Sequence, residues 1–145
     1  MKAVVLFFAL VALALPARAQ QWADSFADAQ QTAKAEHKSV VLVFSGSDWC
    51  APCIKLDREV WQDAGFQADA AADFVFYRAD FPRKKENKLP AELAEANGAL
   101  AERYNTRGAF PLVVVLNPDG EVLGQAGYEK IGPDAYLAKL ESFTR

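Results

Sequence analysis

The feature that most constrains this chain is an apolar strand pattern that leads into two closely spaced cysteines. Residues 39–45 (SVVLVFS) are rich in β-branched and apolar residues without alternation. Such a run is typical of a central strand that is buried on both faces. After a loop at 46–49, Cys50 and Cys53 follow, and further apolar residues continue at helical spacing. The sequence therefore predicts a strand–loop–helix unit with Cys50 at the start of the helix.

This placement of the cysteines suits thiol–disulfide chemistry. The thiolate is the nucleophile in disulfide exchange, and a helix N-terminus favours negative charge. Cys53 falls one turn after Cys50, and Pro52 fits the first helical turn because its missing N–H costs nothing there. A disulfide between residues three apart closes too small a loop to be an effective structural crosslink. We expect Cys50 to attack and Cys53 to resolve the mixed disulfide, with no metal or organic cofactor.

The other elements predict an α/β domain. We expect helices near residues 25–38, 63–72, 90–104 and 132–143, and strands at 74–80, 112–116 and 121–126. In the helix from Pro90 we expect Leu93, Ala94, Leu100 and Ala101 to face inward. The early strand–helix–strand order predicts parallel pairing, and the Asn117–Gly120 turn predicts an antiparallel hairpin. The result is a mixed central β-sheet flanked by helices on both faces.

The first 19 residues have the pattern of a secretory signal peptide. Lys2 precedes an apolar run at 4–15, and small residues in Ala17-Arg18-Ala19 precede the expected cleavage after Ala19. The run is short for a bilayer span, which needs about 20 residues, although an uncleaved N-terminal anchor stays an alternative. We therefore expect one domain over residues 20–145, soluble once the signal peptide is removed, in an exported location where disulfides persist.

Charge and ligand types exclude several other functions. Loss of Lys2 and Arg18 with the signal peptide would change the formal charge from −3 to −5. The densest basic run, residues 83–85, is followed at once by Glu86, and we interpret it as a solvated loop without nucleic-acid binding. Zinc needs three or four protein ligands, whereas the chain offers two thiols and the single histidine His37. We expect no metal site, although a copper chaperone stays an alternative.

Two motifs resemble the thioredoxin superfamily. The first is residues 41–44 (VLVF) followed by Trp49-Cys50-Ala51-Pro52-Cys53, and the second is Phe110-Pro111 before the third strand. The resemblance covers nearly all of the chain after the signal peptide and implies a thioredoxin-like fold with a redox-active Cys50–Cys53 disulfide. It also implies a cis-proline at Pro111 that faces the cysteines, since a cis bond is much cheaper before proline. The candidate substrate-binding residues are Trp49, Ala51, Pro52, Phe110 and Pro111.

The sequence departs from thioredoxin in the strand before the motif. Thioredoxins usually have a buried Asp, which serves as a proton relay, six positions before the first cysteine; here that residue is Phe44. The relay residue is therefore unassigned. Asp48 is expected to be a solvated loop residue, while Arg78 and Asp80 could supply charge near the site. Residues 46–49 and 80–82 are similar to exported bacterial thioredoxin-like proteins and to the soluble domain of periplasmic thiol:disulfide interchange proteins. This similarity implies a periplasmic location, and secretion stays an alternative.

Two classes of function remain. The first is an oxidoreductase that exchanges electrons with disulfides in exported proteins. Strong oxidants of this superfamily carry a His between the cysteines, and Ala51-Pro52 supplies no such charge, so we favour a reductase recharged by a membrane electron donor. The second is a thioredoxin-fold binding module, or a metallochaperone-like protein, without redox turnover. Reversible cycling between dithiol and disulfide would discriminate between the two classes.

Overall fold

The computed structural model describes residues 22–145. The predicted signal peptide, residues 1–19, lies outside this range. Helices and strands follow in the order α1 (Phe26–Glu36), β1 (Ser39–Ser45), α2 (Ala51–Leu56), α3 (Ala64–Ala70), β2 (Phe74–Asp80), α4 (Ala91–Tyr104), β3 (Leu112–Leu116), β4 (Val122–Ala126) and α5 (Pro133–Ser142). A π-helical turn (Asp57–Trp61) continues α2, and a 3₁₀ turn (Lys85–Asn87) interrupts the loop after β2. No helix within residues 22–145 combines the length and apolarity needed to cross a membrane.

Side-chain caps explain where two of these helices begin. The hydroxyl of Ser25 accepts a hydrogen bond from the Asp28 N–H at 3.0 Å, so α1 starts at the next residue. The carboxylate of Asp63 accepts from the Phe66 N–H at 2.8 Å and starts α3 in the same way. Both residue types supply the oxygen that free N–H groups in the first turn require. The predicted helices and strands are confirmed, with ends that differ by one or two residues.

The sheet has the strand order β2-β1-β3-β4. β1 pairs in parallel with β2, from Ser39 opposite Phe74 to Ser45 opposite Asp80, and antiparallel with β3. β3 and β4 form the antiparallel hairpin. β1 therefore has a neighbour on each side and helices on each face, which is why its apolar residues do not alternate. The predicted mixed sheet is confirmed.

Each face of the sheet carries its own apolar cluster. Val41 and Val43 face the cluster formed with α2, α3 and α5, whose largest members are Trp61 and Tyr136. Val40, Leu42 and Phe44 face the cluster formed with α1 and α4. Trp22 contacts the ring of Trp61 edge to face, with a centroid distance of 6.1 Å. Helices thus cover both faces of the sheet.

The expectation for the inward face of α4 was wrong at one position. Leu93, Leu100 and Ala101 are partly buried, but Ala94 is exposed. The buried residue in the middle of this helix is instead Asn97, which is 1% exposed. Its amide accepts from the Tyr77 hydroxyl at 2.7 Å and donates to the Asp80 carbonyl at 3.1 Å. Burial of Ala94 would remove little apolar area from water. The hydrogen bonds of Asn97 with Tyr77 and Asp80 therefore decide which residue of α4 faces the sheet, and the apolar spacing does not.

Candidate active site

Cys50 and Cys53 occupy the start of α2, directly after the central strand. Cys50 is the N-cap residue, and its Sγ accepts a hydrogen bond from the Cys53 N–H at 3.3 Å. The two sulfurs are joined in a disulfide, with Cα atoms 5.2 Å apart. The residues are 4% and 3% exposed, so exposure does not distinguish them. Their positions do, because only Cys50 has its sulfur at the helix N-terminus, where free N–H groups favour negative charge.

Trp49 is held firmly beside the cysteines. Its indole Nε1 donates to the Phe81 carbonyl at 2.7 Å, and its ring contacts the Phe110 ring edge to face, with centroids 5.4 Å apart. The centroids of the Phe110 and Phe81 rings are 5.5 Å apart, so three aromatic rings form one group next to the cysteine pair. Gly46 makes this possible, because a Cβ there would lie 2.3 Å from the Trp49 ring. The sequence predicted Trp49 and Phe110 at the site but not Phe81.

The Phe110–Pro111 peptide bond is cis, as the resemblance implied. The turn before it is built around buried Asn105, whose amide donates to the Ala109 carbonyl and accepts from the Ala109 N–H, both at 2.9 Å. Leu112, the next residue, pairs with Phe44 at the end of β1. The register therefore brings the Phe110–Pro111 segment to the same sheet edge as the cysteine motif.

The two residues between the cysteines are open to solvent. Ala51 and Pro52 are both exposed in the first turn of α2, whereas Pro111 is buried and Phe110 is partly buried. Of the five candidate substrate-binding residues, Trp49 and Phe110 are in direct contact through their rings. Ala51 and Pro52 form the outer surface of the motif.

A cleft of about 90 Å³ lies on the Cys53 side of the motif. Its walls are formed by Ser45, Ser47, Cys53, Ile54, Asp57 and Arg78. The guanidinium Nη2 of Arg78 lies 2.5 Å from the Asp57 carboxylate, and both side chains are about 30% exposed. Arg78 also lies over the Trp22 ring, 4.3 Å from its centroid. The cleft therefore places an ion pair beside the second cysteine.

Asp57 is a candidate residue that the sequence reasoning missed. It follows Cys53 by one helical turn, and its backbone N–H donates to the carbonyls of Cys53 and Ile54. Spacing of four residues in a helix puts two side chains on the same face, and this was the available signal. Arg78 was expected to supply charge near the site, and its cleft position agrees with that expectation. Asp80 instead binds Ser47, with its carboxylate accepting from the N–H at 2.9 Å and from Oγ at 2.5 Å.

Asp48 organises the loop after β2 and is not simply a solvated residue. Its carboxylate accepts from the N–H groups of Arg83 and Lys84 and from Asn87 Nδ2, each at 3.0 Å. The Arg83 N–H, followed by the Asn87 amide, holds the pKa of Asp48 below its ordinary value of 3.8. The carboxylate therefore keeps its charge, and its hydrogen bonds to the loop, to a lower pH than an ordinary Asp would.

The single histidine of the chain lies far from the cysteine pair. Within residues 22–145 no three or more His, Cys, Asp or Glu side chains are grouped so that they could hold an ion. His37 is exposed and ends α1 in the left-handed conformation, with φ of 56°. It lies at the start of β1, at the opposite end of the sheet from Cys50. The structure therefore does not bring the single histidine to the cysteine pair.

The fold and the cysteine pair define a thioredoxin-like protein. The family model of the thioredoxin-like domain matches residues 26–144, and the chain belongs to this family. It is 36% identical over 122 residues to the disulfide bond reductase DsbH of Chlamydia pneumoniae, covering 84% of this chain and 71% of that protein. A solved DsbH oxidoreductase superposes with a TM-score of 0.79 at 32% identity, over 94% of each chain.

A domain of a larger redox protein is also similar. The reduced C-terminal domain of DsbD from Neisseria meningitidis matches with a TM-score of 0.53 at 27% identity, over 79% of this chain and 90% of that one. Together with the Cys50–Cys53 pair at disulfide distance, these similarities support a thiol–disulfide oxidoreductase.

Proposed function

We propose that this protein is an exported thiol–disulfide oxidoreductase that reduces disulfides in other exported proteins. The observation that carries the proposal is the hydrogen bond from the Cys53 N–H to Cys50 Sγ at the N-terminus of α2. In the reduced protein the same N–H would stabilise a Cys50 thiolate, which is the attacking form. The similarity to a protein named as a disulfide bond reductase supports the same direction.

The reaction would proceed in two exchange steps. The Cys50 thiolate attacks one sulfur of the substrate disulfide, forms a mixed disulfide and releases the first substrate thiolate. Cys53 then loses its proton and attacks Cys50 Sγ, which releases the second substrate thiolate. Two electrons pass from the dithiol to the substrate, and the protein is left with the Cys50–Cys53 disulfide. Trp49, Ala51, Pro52, Phe110 and Pro111 would form the surface against which the substrate chain lies.

The second step needs a group that accepts the Cys53 proton. Because Phe44 stands where thioredoxins have a carboxylate, we assign this role to Asp57, the carboxylate that shares the cleft with Cys53. The cleft has room for water that could bridge the two groups. Arg78 would keep the Asp57 carboxylate in place through their ion pair. An Asp57→Asn variant should retain the first step and slow the second most strongly near neutral pH.

Export and recharging complete the proposal. The domain would extend from Gln20 to Arg145 after cleavage behind Ala19, and the protein would act in the periplasm. A reductant in that compartment must be reduced again after each turnover, so a membrane-bound electron donor would be a second partner. Ala51 and Pro52 add no cation next to Cys50, which agrees with a reducing role.

The decisive experiment is a redox titration of the processed protein. The full-length chain is expressed in a Gram-negative host, recovered from the periplasm, and its N-terminus determined by mass spectrometry; Gln20 is expected. The Cys50–Cys53 couple is then titrated against glutathione and dithiothreitol with thiol trapping. A value near about −270 mV supports a reductase, whereas a value near about −120 mV would make the protein a disulfide donor. Absence of a reversible couple would favour a binding module or a metallochaperone-like protein.

Three variants control this experiment. Cys53→Ser should accumulate the mixed disulfide with a substrate because resolution is blocked, whereas Cys50→Ser should accumulate none. Ala51→His adds a cation beside Cys50 and should make the pair more oxidising; an unchanged potential would argue against the proposed effect of the motif interior.

A further inference from the structure

Next to the cysteine motif the structure carries a loop of unusual charge, residues 81–88, which we call the basic loop. It contains Arg83, Lys84, Lys85 and Lys88 with the single acidic residue Glu86, in a chain whose formal charge is −3. These five residues are all exposed. Four of the 16 Lys and Arg residues of the chain therefore lie within this segment of eight residues, and no hydrophobic core requires them there.

The basic loop is fastened to the residues that immediately precede Cys50. The Asp48 carboxylate binds the backbone of Arg83 and Lys84, and the Trp49 indole binds the Phe81 carbonyl. The Arg83 guanidinium also lies over the Trp49 ring, 3.7 Å from its centroid. Each of these contacts joins the loop to a residue one or two positions before Cys50. The backbone of the loop and the Arg83 guanidinium are thus held against the segment that leads into Cys50.

We infer that the basic loop binds an acidic segment of polypeptide next to the disulfide that is reduced. This inference rests on the proposed function and names its preferred substrate class: disulfides flanked by Asp and Glu. Exposed charges at the rim of an interface mainly raise the association rate and select partners by sign. The Asp48 anchor uses backbone N–H groups, so the side chains of Lys84 and Lys85 remain available for a partner.

A polypeptide fits the basic loop better than an anionic membrane surface does. Stable membrane attachment needs apolar side chains that insert beside the basic ones. Among the described residues the exposed large apolar side chains are Ile54, Val122, Leu123 and Ile131, and none belongs to this loop. Phe81, its aromatic residue, is turned toward Phe44 and Phe110. The loop therefore offers charge without an apolar anchor.

The test compares three peptides that contain the same intramolecular disulfide, flanked by Glu, Ser or Lys residues. The reduced, processed protein is mixed with each peptide, and the second-order rate of peptide reduction is measured at low and at high salt. We expect the Glu peptide to react about tenfold faster than the Lys peptide at low salt. The difference should shrink at about 1 M salt, where the screening length is only about 3 Å.

Two charge-reversal variants give the matched comparison. Lys85→Glu should slow reduction of the Glu peptide about threefold to tenfold and leave the Ser peptide unchanged. Lys34→Glu changes the net charge equally, but Lys34 pairs with Asp119 in the hairpin turn at the other end of the sheet. This control should change the Glu-peptide rate less than twofold. Equal effects of both variants would overturn the role of the loop.

The outcomes separate this inference from the proposed function. Equal rates for the three peptides would overturn the inference and leave the reductase intact. If no peptide is reduced, the proposed function fails. The role of the loop can then still be tested by measuring the binding of a cysteine-free Glu peptide with fluorescence anisotropy. Binding that is weakened by Lys85→Glu supports it, and absence of binding overturns it. Lys85-dependent binding to phosphatidylglycerol vesicles, without a peptide preference, would overturn it in favour of a membrane partner.

Discussion

The substitution Gly46→Ala should strongly disturb the surroundings of the cysteine pair. A Cβ at Gly46 would lie 2.3 Å from Trp49 Cε2 and 2.6 Å from two further ring atoms. Gly46 does not have a positive φ, so its backbone can accept alanine without strain. The whole cost of Gly46→Ala should therefore arise from displacement of the Trp49 ring.

The magnitude follows from what the displaced ring loses. The hydrogen bond from Trp49 Nε1 to the Phe81 carbonyl contributes about 1 kcal/mol, and the edge contact with Phe110 about 0.5–1.5 kcal/mol. The stacked Arg83 guanidinium adds about 0.5–1 kcal/mol. Alanine returns about 0.4–1 kcal/mol by restricting the unfolded chain. We therefore expect Gly46→Ala to lower the free energy of unfolding by about 1–3 kcal/mol.

The assay is urea denaturation followed by tryptophan fluorescence, with two controls. Gly98 lies in the middle of α4, and nothing lies within 4 Å of a Cβ placed there. Gly98→Ala should therefore stabilise the protein by about 0.5–1 kcal/mol. In a Trp49→Ala background Gly46→Ala should become neutral or stabilising. If its cost persists in that background, or if it stabilises the intact protein as Gly98→Ala does, the steric reasoning is wrong.

Three further substitutions or conditions have calculable consequences. His37→Gly should raise the free energy of unfolding by up to about 1 kcal/mol, measured by denaturation, because His37 has φ of 56° at the end of α1. Asn97→Ala should lower it by about 2–4 kcal/mol, since the buried Tyr77 hydroxyl loses its acceptor; adding Tyr77→Phe should recover part of that loss. The lowered pKa of Asp48 stabilises the folded protein above about pH 4, and this contribution should disappear as the pH falls through that pKa. Acidification should therefore increase amide hydrogen exchange in residues 83–87 of the protein. It should not do so in an Asp48→Asn variant, whose side chain does not titrate.

The parts of the fold that the sequence predicted are those governed by local pattern. Residues 39–45 could be assigned to a central strand because a run without alternation is stable only when both faces are covered. The hairpin followed from the turn residues at 117–120, and the start of α2 from Pro52. The Phe110–Pro111 segment followed from resemblance, and the pairing of Leu112 with Phe44 brings it to the correct sheet edge.

The parts that the sequence did not predict depend on contacts between distant residues. Asp48 looked like a solvated loop residue because its partners, Arg83 and Asn87, lie 35 and 39 positions away. The Asp57–Arg78 pair spans 21 positions and forms only because β2 lies beside β1. Asn97 was not among the residues of α4 that were expected to face inward. In each case a hydrogen bond across the fold, which has no periodic signal, decides the position of the side chain.

The position of β1 between two partner strands also bears on how such a protein can change over evolutionary time. The strand that leads into the cysteine motif is buried along nearly its whole length, and buried central strands are the segments of a protein that open least readily. Residues 83–88, in contrast, are exposed, and substitutions at such positions usually alter stability by less than about 0.5 kcal/mol. If the basic loop selects the partner as we infer, reactivity and partner choice reside in segments with very different tolerance to mutation. The preferred partner could drift through many substitutions while the geometry of the cysteine pair stays unchanged.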